Sequence, residues 1–581
     1  MTDIPSSIPA RTELRAHGSA ARRANAQRGV LFVLFAILGL LVVMPFATLV
    51  YTSFIRGLPF SGNADYTFTL ANYGSLFTPE LGAAIVNTLI TSIGATAIAM
   101  TIGCALAWLV ARTDIPFKPM VHLIALTPLF ISLVVASITW SLLGAGRTGY
   151  LNIIFTSLGL PFHINVQSLA GISFVKGLYY VPYPFIFVYG ALTLVHPDME
   201  EAAAVHRANL WSSLRTITFP LVKPAVIGAM LLVMVSTAEE FPVPSILGAP
   251  VGIETLSIRI YKLATQVPGD PNGASAVAIM LTAIVFALVY TQRRVLQGKD
   301  YRTVTGKGVQ QRLLRLRGLK GPAIAFVLLY GFVALVLPIL ALIQGATRAS
   351  LYIPNAKALF DPSQLTTQFL VEALKNPDMH QGLKNSLLAG GLTALFGGAL
   401  FFALAYTVNR TKLPGRHYLE YLAMTPLALP ALVMGLGILW TWVNIPLPVY
   451  GTLAILVIAF TTRFMPQGYR SMASSVSQLH DDLEEAAMVA GASRAEAIRR
   501  ITLPLLRGTI VSTMFLMVVL GMRELTASLF LYTSDTRVLS IVIYEAYENG
   551  FWTVVASLSL IYTSVLVVLT IIGRRFMRAD L

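Results

Sequence analysis

Twelve stretches of mostly apolar residues, each about as long as a bilayer core is thick, run through this 581-residue chain and limit what it can fold into. In lipid, every backbone N–H and C=O must find its partner inside the protein. A single stretch therefore crosses as a helix of about 20 residues. Six runs occupy residues 30–54, 85–111, 119–143, 169–195, 223–247 and 273–292. Six more occupy 322–346, 385–409, 418–441, 451–476, 507–532 and 551–573. Only 12% of the residues are charged, against about a quarter in a soluble domain. A soluble enzyme, a coiled coil and a disordered chain are excluded on that ground. The single cysteine, Cys104, leaves no intrachain disulfide and no cysteine metal cluster. The first run follows a polar arm and has no small-residue cleavage site, so it reads as a span and not as a signal peptide.

Lys and Arg set the orientation. With the N-terminus inside, 29 basic residues fall in cytoplasmic segments and nine in the outer loops. Both termini are therefore expected in the cytoplasm. The net charge of +15 reads as a topology signal facing cytosol and anionic lipid, with no nucleic-acid partner.

The two halves repeat each other. Asn87-Thr-Leu, Ala105-Leu-Ala-Trp, Arg112 and Thr127-Pro-Leu recur as Asn385-Ser-Leu, Ala403-Leu-Ala-Tyr, Arg410 and Thr425-Pro-Leu at an offset of 298. Glu200-Glu201-Ala-Ala and Pro220 recur as Glu484-Glu485-Ala-Ala and Pro504 at 284, and Leu256-Ser-Ile recurs as Leu539-Ser-Ile at 283. Because six spans is an even number, the copies are parallel, related by a pseudo-twofold axis along the membrane normal. The expected fold is an all-α integral membrane protein of twelve transmembrane helices in two parallel six-helix repeats. Residues 1–29 form a cytosolic arm, 30–292 the first half, 293–321 a basic cytosolic linker and 322–581 the second half.

The loop before the fifth span of each half carries one pattern twice. The second copy reads Glu485-Ala486-Ala487, then Gly491, then Ile501-Thr-Leu-Pro504; the first reads Glu201-Ala202-Ala203, then Arg207, then Ile217-Thr-Phe-Pro220. Carboxylates suit a helix start, Ala-Ala offers a thin helix face, Gly491 permits a sharp reversal, and Pro504 suits helix entry. A plain surface helix would also accept one such copy; two in matching loops are harder to explain that way. The pattern resembles the EAA loop of permease subunits of bacterial ABC importers, and the resemblance covers essentially the whole chain. It implies a coupling helix that docks on an ATPase subunit. Two ATPase copies and a periplasmic solute-binding protein are the implied partners, and the bacterial inner membrane the implied location. The first copy departs from the family at Arg207, where glycine is expected, and at Phe219. No Gly-x4-Gly-Lys-Ser/Thr loop is present; Thr305-Gly306-Lys307-Gly308 lacks the first glycine and the hydroxyl residue. The chain is therefore expected to be no enzyme and to bind no cofactor, ATP being used by partner subunits.

Ionisable residues inside spans are costly and mark function by default. Glu239 and Glu240 fall in the fifth span, Arg523 and Glu524 in the eleventh, Lys176 and Arg463 in the fourth and tenth. Glu240 and Glu524 match at the repeat offset. They are expected to face each other toward the outer side, as an outer gate or first resting site on a translocation pathway. The competing reading is structural, with Arg523 paired to a neighbouring carboxylate. No metal-ligand cluster of the protein's own is expected.

Glu240-Phe-Pro-Val-Pro and Arg523-Glu524-Leu-Thr-Ala-Ser, each followed by Leu-Ser-Ile-x-Ile-Tyr, resemble the long fused permeases of ferric iron uptake. That resemblance implies ferric ion as the cargo; 2-aminoethylphosphonate, polyamine and thiamine importers are the alternatives within the class. Outside it, an ion-coupled twelve-span secondary carrier has the same span count but no need of two EAA loops.

Overall fold

The computed structural model describes residues 28–57, 66–194, 216, 218–296, 313–350 and 353–578. Within them the chain is helical, with three isolated β-bridges and no strand. The first half comprises α1 (Arg28–Ser53), α2 (Pro79–Arg112), α3 (Lys118–Phe130), α4 (Leu133–Gly144), α5 (Leu169–Tyr180), α6 (Pro182–Leu194), α7 (Phe219–Ala238), α8 (Leu256–Thr265) and α9 (Pro271–Leu296). The second comprises α10 (Arg317–Ala346), α11 (Pro377–Arg410), α12 (Arg416–Ala428), α13 (Ala431–Asn444), α14 (Leu453–Gln478), α15 (Asp482–Val489), α16 (Arg494–Leu505), α17 (Arg507–Arg523), α18 (Leu539–Glu548) and α19 (Trp552–Arg578).

Among the described residues, seven helices are long and apolar enough to cross a membrane alone, and four bent pairs pass the same test together. The twelfth element is α14, 26 residues long and made less apolar by Arg463, Gln467 and Arg470. Large apolar side chains such as Phe32, Leu329, Phe396 and Ile571 stand exposed on the outside of the bundle, as lipid-facing positions require. Buried hydroxyls are satisfied locally: Thr88, Thr139 and Thr282 each donate to the carbonyl four residues back.

Three of the expected spans are not straight. The runs at 119–143 and 418–441 break into α3/α4 and α12/α13, bent by 99° and 112°. Each break follows a Thr-Pro-Leu turn that tightens into 3-10 geometry over Thr127–Phe130 and Thr425–Ala428. Proline removes a helical N–H and crowds the preceding turn, so the last carbonyls are released from the helix ladder. The run at 169–195 bends by 44° between α5 and α6, at Pro182. Its repeat equivalent, Pro466, is absorbed inside the continuous α14. The runs at 223–247 and 507–532 are shorter than expected. Helix α7 stops at Ala238 and α17 at Arg523, so Glu239, Glu240 and Glu524 sit just past helix ends. Pro242 and Pro244 in the first half and the 3-10 turn Thr526–Ser528 in the second divert the chain there.

The halves interlock. Helix α1 packs on α13 of the opposite half, and α10 packs on α4. Thr48 and Thr441 share a hydroxyl hydrogen bond of 2.6 Å across the first of these contacts. The backbones approach so closely there that a Cβ on Gly437 would stand 2.5 Å from the Pro45 carbonyl oxygen. Small residues permit such approach where apolar surface alone cannot drive helices together. Gly437→Ala should therefore destabilise the bundle, by about 1–3 kcal/mol for an overpacked contact. Thermal unfolding in detergent would read this as a lowered midpoint, and an unchanged midpoint would refute it.

The end of the linker is also tied down. Asp114 accepts from the Leu316 N–H at 2.8 Å and pairs with Lys320 at 2.9 Å. The Leu316 N–H and then Lys320 hold its carboxyl below the usual carboxylate range. The contact is thus present above the ordinary carboxylate pKa and is lost as pH falls through the lowered one.

Candidate functional site

The loop joining α14 to α17 is built as a rigid unit. Asp482, Glu484 and Glu485 occupy the first turn of α15, where the macrodipole favours them. The helix ends on Gly491 at φ +95°. Gly491 N–H bonds to the Met488 carbonyl and Ala492 N–H to the Ala487 carbonyl, at 3.1 and 3.0 Å, the paired bonds of a Schellman ending that a residue with a Cβ enters only with strain. Ser493 then caps α16 by accepting from the Glu496 N–H.

Glu484 holds this unit against the membrane helices. Its carboxylate is buried and accepts from the Tyr406 hydroxyl at 2.6 Å and from the Thr502 hydroxyl. Arg494 donates to the same Tyr406 oxygen at 3.1 Å and to the Arg410 carbonyl at 2.7 Å. Arg410 reaches the Leu479 carbonyl at 2.6 Å and pairs with Asp481. Glu485, Ala486 and Pro504 remain exposed, as does Val489. The sequence pattern pointed to Glu485, but the anchoring carboxylate is its neighbour. Nothing in Glu-Glu-Ala-Ala alone says which glutamate turns inward.

Of the first-half copy, Glu201, Ala202, Ala203 and Arg207 lie outside the described residues, and Pro220 is the second residue of α7. By sequence, Trp108 and Leu210 stand where Tyr406 and Arg494 stand in the second half. An indole N–H can donate but not accept, so the second-half clamp cannot be reproduced there unchanged.

At the centre of the interlocked bundle lies a cavity of about 170 Å³ lined by matching positions of the two halves. Tyr180 and Tyr183 stand opposite Phe464 and Gln467; Glu239 and Glu240 stand opposite Arg523 and Glu524. The repeat holds at the level of single hydrogen bonds. Glu240 accepts from the Val243 N–H at 2.8 Å, and Glu524 from the Ala527 N–H at 2.9 Å. Ser257 donates to the Glu240 carbonyl at 3.0 Å, and Ser540 to the Glu524 carbonyl at 2.8 Å. Thr88 and Ser386 each accept from the first N–H of the following short helix, Leu256 and Leu539.

Five of the six intramembrane residues singled out from the sequence line this one cavity; Lys176 lies behind it. Their pairing differs from what the sequence led us to expect. Glu240 bonds its own turn and pairs with Lys176 at 3.5 Å, and Lys176 also donates to the Thr237 carbonyl at 3.0 Å. Among the described residues, Arg523 makes no ion pair with a carboxylate within 4 Å. Its guanidinium donates to the carbonyls of Leu129 and Ile131, the groups freed where α3 breaks from α4. The bridge between halves is Glu239–Arg463, at 2.5 Å. Neither Tyr180, Tyr183 nor Gln467 was singled out from sequence; only their alignment across the repeat could have marked them.

Helices α7 and α17 both end just before the carboxylates, and Arg463 is the eleventh residue of the 26 in α14. At 1.5 Å per residue Arg463 lies about 15 Å from the helix end remote from α15. Three carboxylates (Glu239, Glu240, Glu524) balance three bases (Lys176, Arg463, Arg523) around the cavity.

Fold and site together define a polytopic membrane protein of two fused, interlocked repeats around a charge-balanced central cavity. The family described as binding-protein-dependent transport system inner membrane components matches this chain twice, over residues 96–299 and 397–579, and the chain belongs to it. Among similar proteins, a putative ferric transport system permease protein FbpB 1 of Haemophilus influenzae is 29% identical over 68% of this chain and 62% of its own length. The ferric transport system permease protein FbpB of Actinobacillus pleuropneumoniae is 28% identical over 73% of this chain and 60% of its own. The chain therefore spans about three fifths of these two relatives. A Fe(3+)-transport system permease protein FbpB 2 of Haemophilus influenzae is 22% identical over 81% of this chain and 85% of its own.

Proposed function

We propose that this chain is the permease subunit of an ATP-driven importer that carries ferric ion from a periplasmic binding protein through the central cavity to the cytoplasm. Both termini lie inside. One ATPase subunit docks on each of the loops at 196–222 and 479–506, and the chain itself hydrolyses nothing. The observation that carries the reading is the duplicated Glu-Ala-Ala loop, whose second copy presents an exposed Glu485–Ala486 face on a clamped base. The names of the similar proteins support the cargo. The clamp also favours an importer over an ion-coupled carrier, which has no ATPase to receive such a loop.

In this reading the cavity works by exchange of partners. A hard cation prefers carboxylate oxygen, and Glu239, one of the three carboxylates that line the cavity, is held by Arg463. Cargo and Arg463 then compete for it, so an occupied cavity loosens the bridge between halves.

Membrane vesicles holding the chain, its ATPase and its binding protein should accumulate ferric ion only when supplied with ATP. Glu485→Lys combined with Gly491→Pro should abolish uptake and release the ATPase while the membrane helices stay folded. The charge reversal opposes the α15 macrodipole, and proline cannot take a positive φ. Retained ATPase binding and normal uptake in that variant would refute the coupling role.

A further inference from the structure

Above the cavity, on the side away from α15, the two halves bring a pair of tyrosines together on the pseudo-twofold axis. Tyr261 on α8 and Tyr544 on α18 are equivalent at the repeat offset of 283, and their ring centroids are 6.4 Å apart. Both rings pack on the fully buried Phe241, at 5.1 and 5.8 Å. Phe241 follows Glu240 directly, so one aromatic layer separates this pair from the cavity. Glu548 is exposed one turn beyond Tyr544 on α18, and its carboxylate acts electrostatically on both phenols. Tyr532 and Glu545 stand next to it as a second phenol–carboxylate couple.

The bases near the pair are already taken up by carboxylates. Lys262, the repeat equivalent of Glu545, is drawn off by Glu254 at 2.5 Å. Arg537 is held by Asp378 and Glu545 at 2.9 and 3.2 Å. The cavity below has balanced charge, whereas here the neighbouring bases, Lys262 and Arg537, are already held by carboxylates other than Glu548.

We propose that Tyr261, Tyr544 and Glu548 form an entry site that binds ferric ion before Phe241 lets it pass to Glu239 and Glu240. The proposal rests on the ferric reading above. A trivalent hard cation takes anionic oxygen donors, and two phenolates with one carboxylate supply three. Each phenol loses its proton to water as its iron–oxygen bond forms; water fills the remaining positions, and iron stays ferric. Binding therefore strengthens as pH rises. The Ser245 hydroxyl, which bonds the Tyr544 hydroxyl at 2.6 Å, holds that phenol in the empty site and is displaced from it on binding.

The test is titration of the purified full chain with ferric nitrilotriacetate. Phenolate-to-iron charge transfer should give a visible absorption band that saturates at one equivalent. The band should vanish in the Tyr261→Phe/Tyr544→Phe variant, and Glu548→Gln should weaken binding at least tenfold. Phenylalanine keeps the ring packing, and an unchanged unfolding midpoint verifies the fold. Absence of a band in the native protein, or an equal band in the double phenylalanine variant, overturns the site. If ATP-driven ferric uptake persists in vesicles despite that result, only the entry site is wrong. If the vesicles take up 2-aminoethylphosphonate and not ferric ion, the ferric reading fails with it.

Discussion

Under the proposed function, Glu484→Ala should release the ATPase subunit on the second-half side. The carboxylate is buried and takes hydroxyl donors from Tyr406 and Thr502. Its removal leaves both hydroxyls without their acceptor, at about 1–3 kcal/mol each. It also removes the anchor that fixes Arg494 through Tyr406. Helix α15 would keep its own caps, since the Gly491 ending does not depend on Glu484. The loop would therefore persist as a helix that no longer holds its angle to the bundle. Expected readouts are loss of ATPase co-purification and at least a tenfold fall in ATP-driven uptake, with little change in helix content. Tyr406→Phe, which deletes one donor and leaves the carboxylate bonded to Thr502, should be milder. Equal co-purification in Glu484→Ala and the native chain would show that the clamp does not position the docking face.

The second large effect is expected at the bridge between halves. Glu239 is buried and Arg463 half-buried beside the cavity; they stand 2.5 Å apart and come from opposite repeats. Removing one partner strands the other as an uncompensated charge, which costs about 3–5 kcal/mol. Glu239→Gln and Arg463→Met should each lower the unfolding midpoint sharply. The double variant strands no charge and should lose much less than the sum of the two, because residues that share one interaction are not additive. Uptake separates stability from transport: the double variant should stay folded yet accumulate cargo poorly, since its cavity has lost both the carboxylate and the competing base. Additive losses in the cycle would show that the two side chains do not act as a pair.

Span number, repeat and loop could be read from the sequence because each depends on a pattern spread over many residues. A run of 20 apolar residues and a motif recurring at one offset are insensitive to detail. The breaks at Thr127-Pro-Leu and Thr425-Pro-Leu were less legible, because proline is compatible with a kink, a helix start or a stop. Which outcome occurs depends on what receives the freed carbonyls, and for α3 the receiver is Arg523, almost 400 residues away. The pairing inside the cavity was unreadable for the same reason. Glu240 and Glu524 matched by offset and drew attention, yet each bonds its own turn. The bridging residue is Glu239, whose repeat equivalent is an arginine and which no offset match could have marked. Glu484 and Glu485 differ only in which face of a short helix they occupy, and that is fixed by the tertiary partners Tyr406 and Thr502.

The unlike residues at positions 239 and 523 bear on stoichiometry. In a permease assembled from two identical subunits, the same side chain would recur on both sides of the axis. Glutamate would meet its own copy, or arginine its own copy, and neither could serve both the Arg463 bridge and the carbonyls of a broken helix. Joining the halves in one polypeptide guarantees one of each per complex and forbids mispaired assemblies of two first halves or two second halves. The covalent link thereby frees corresponding positions to diverge in sign. It also makes the two sides of the protein separately adjustable, so that corresponding positions across the axis can take on different tasks.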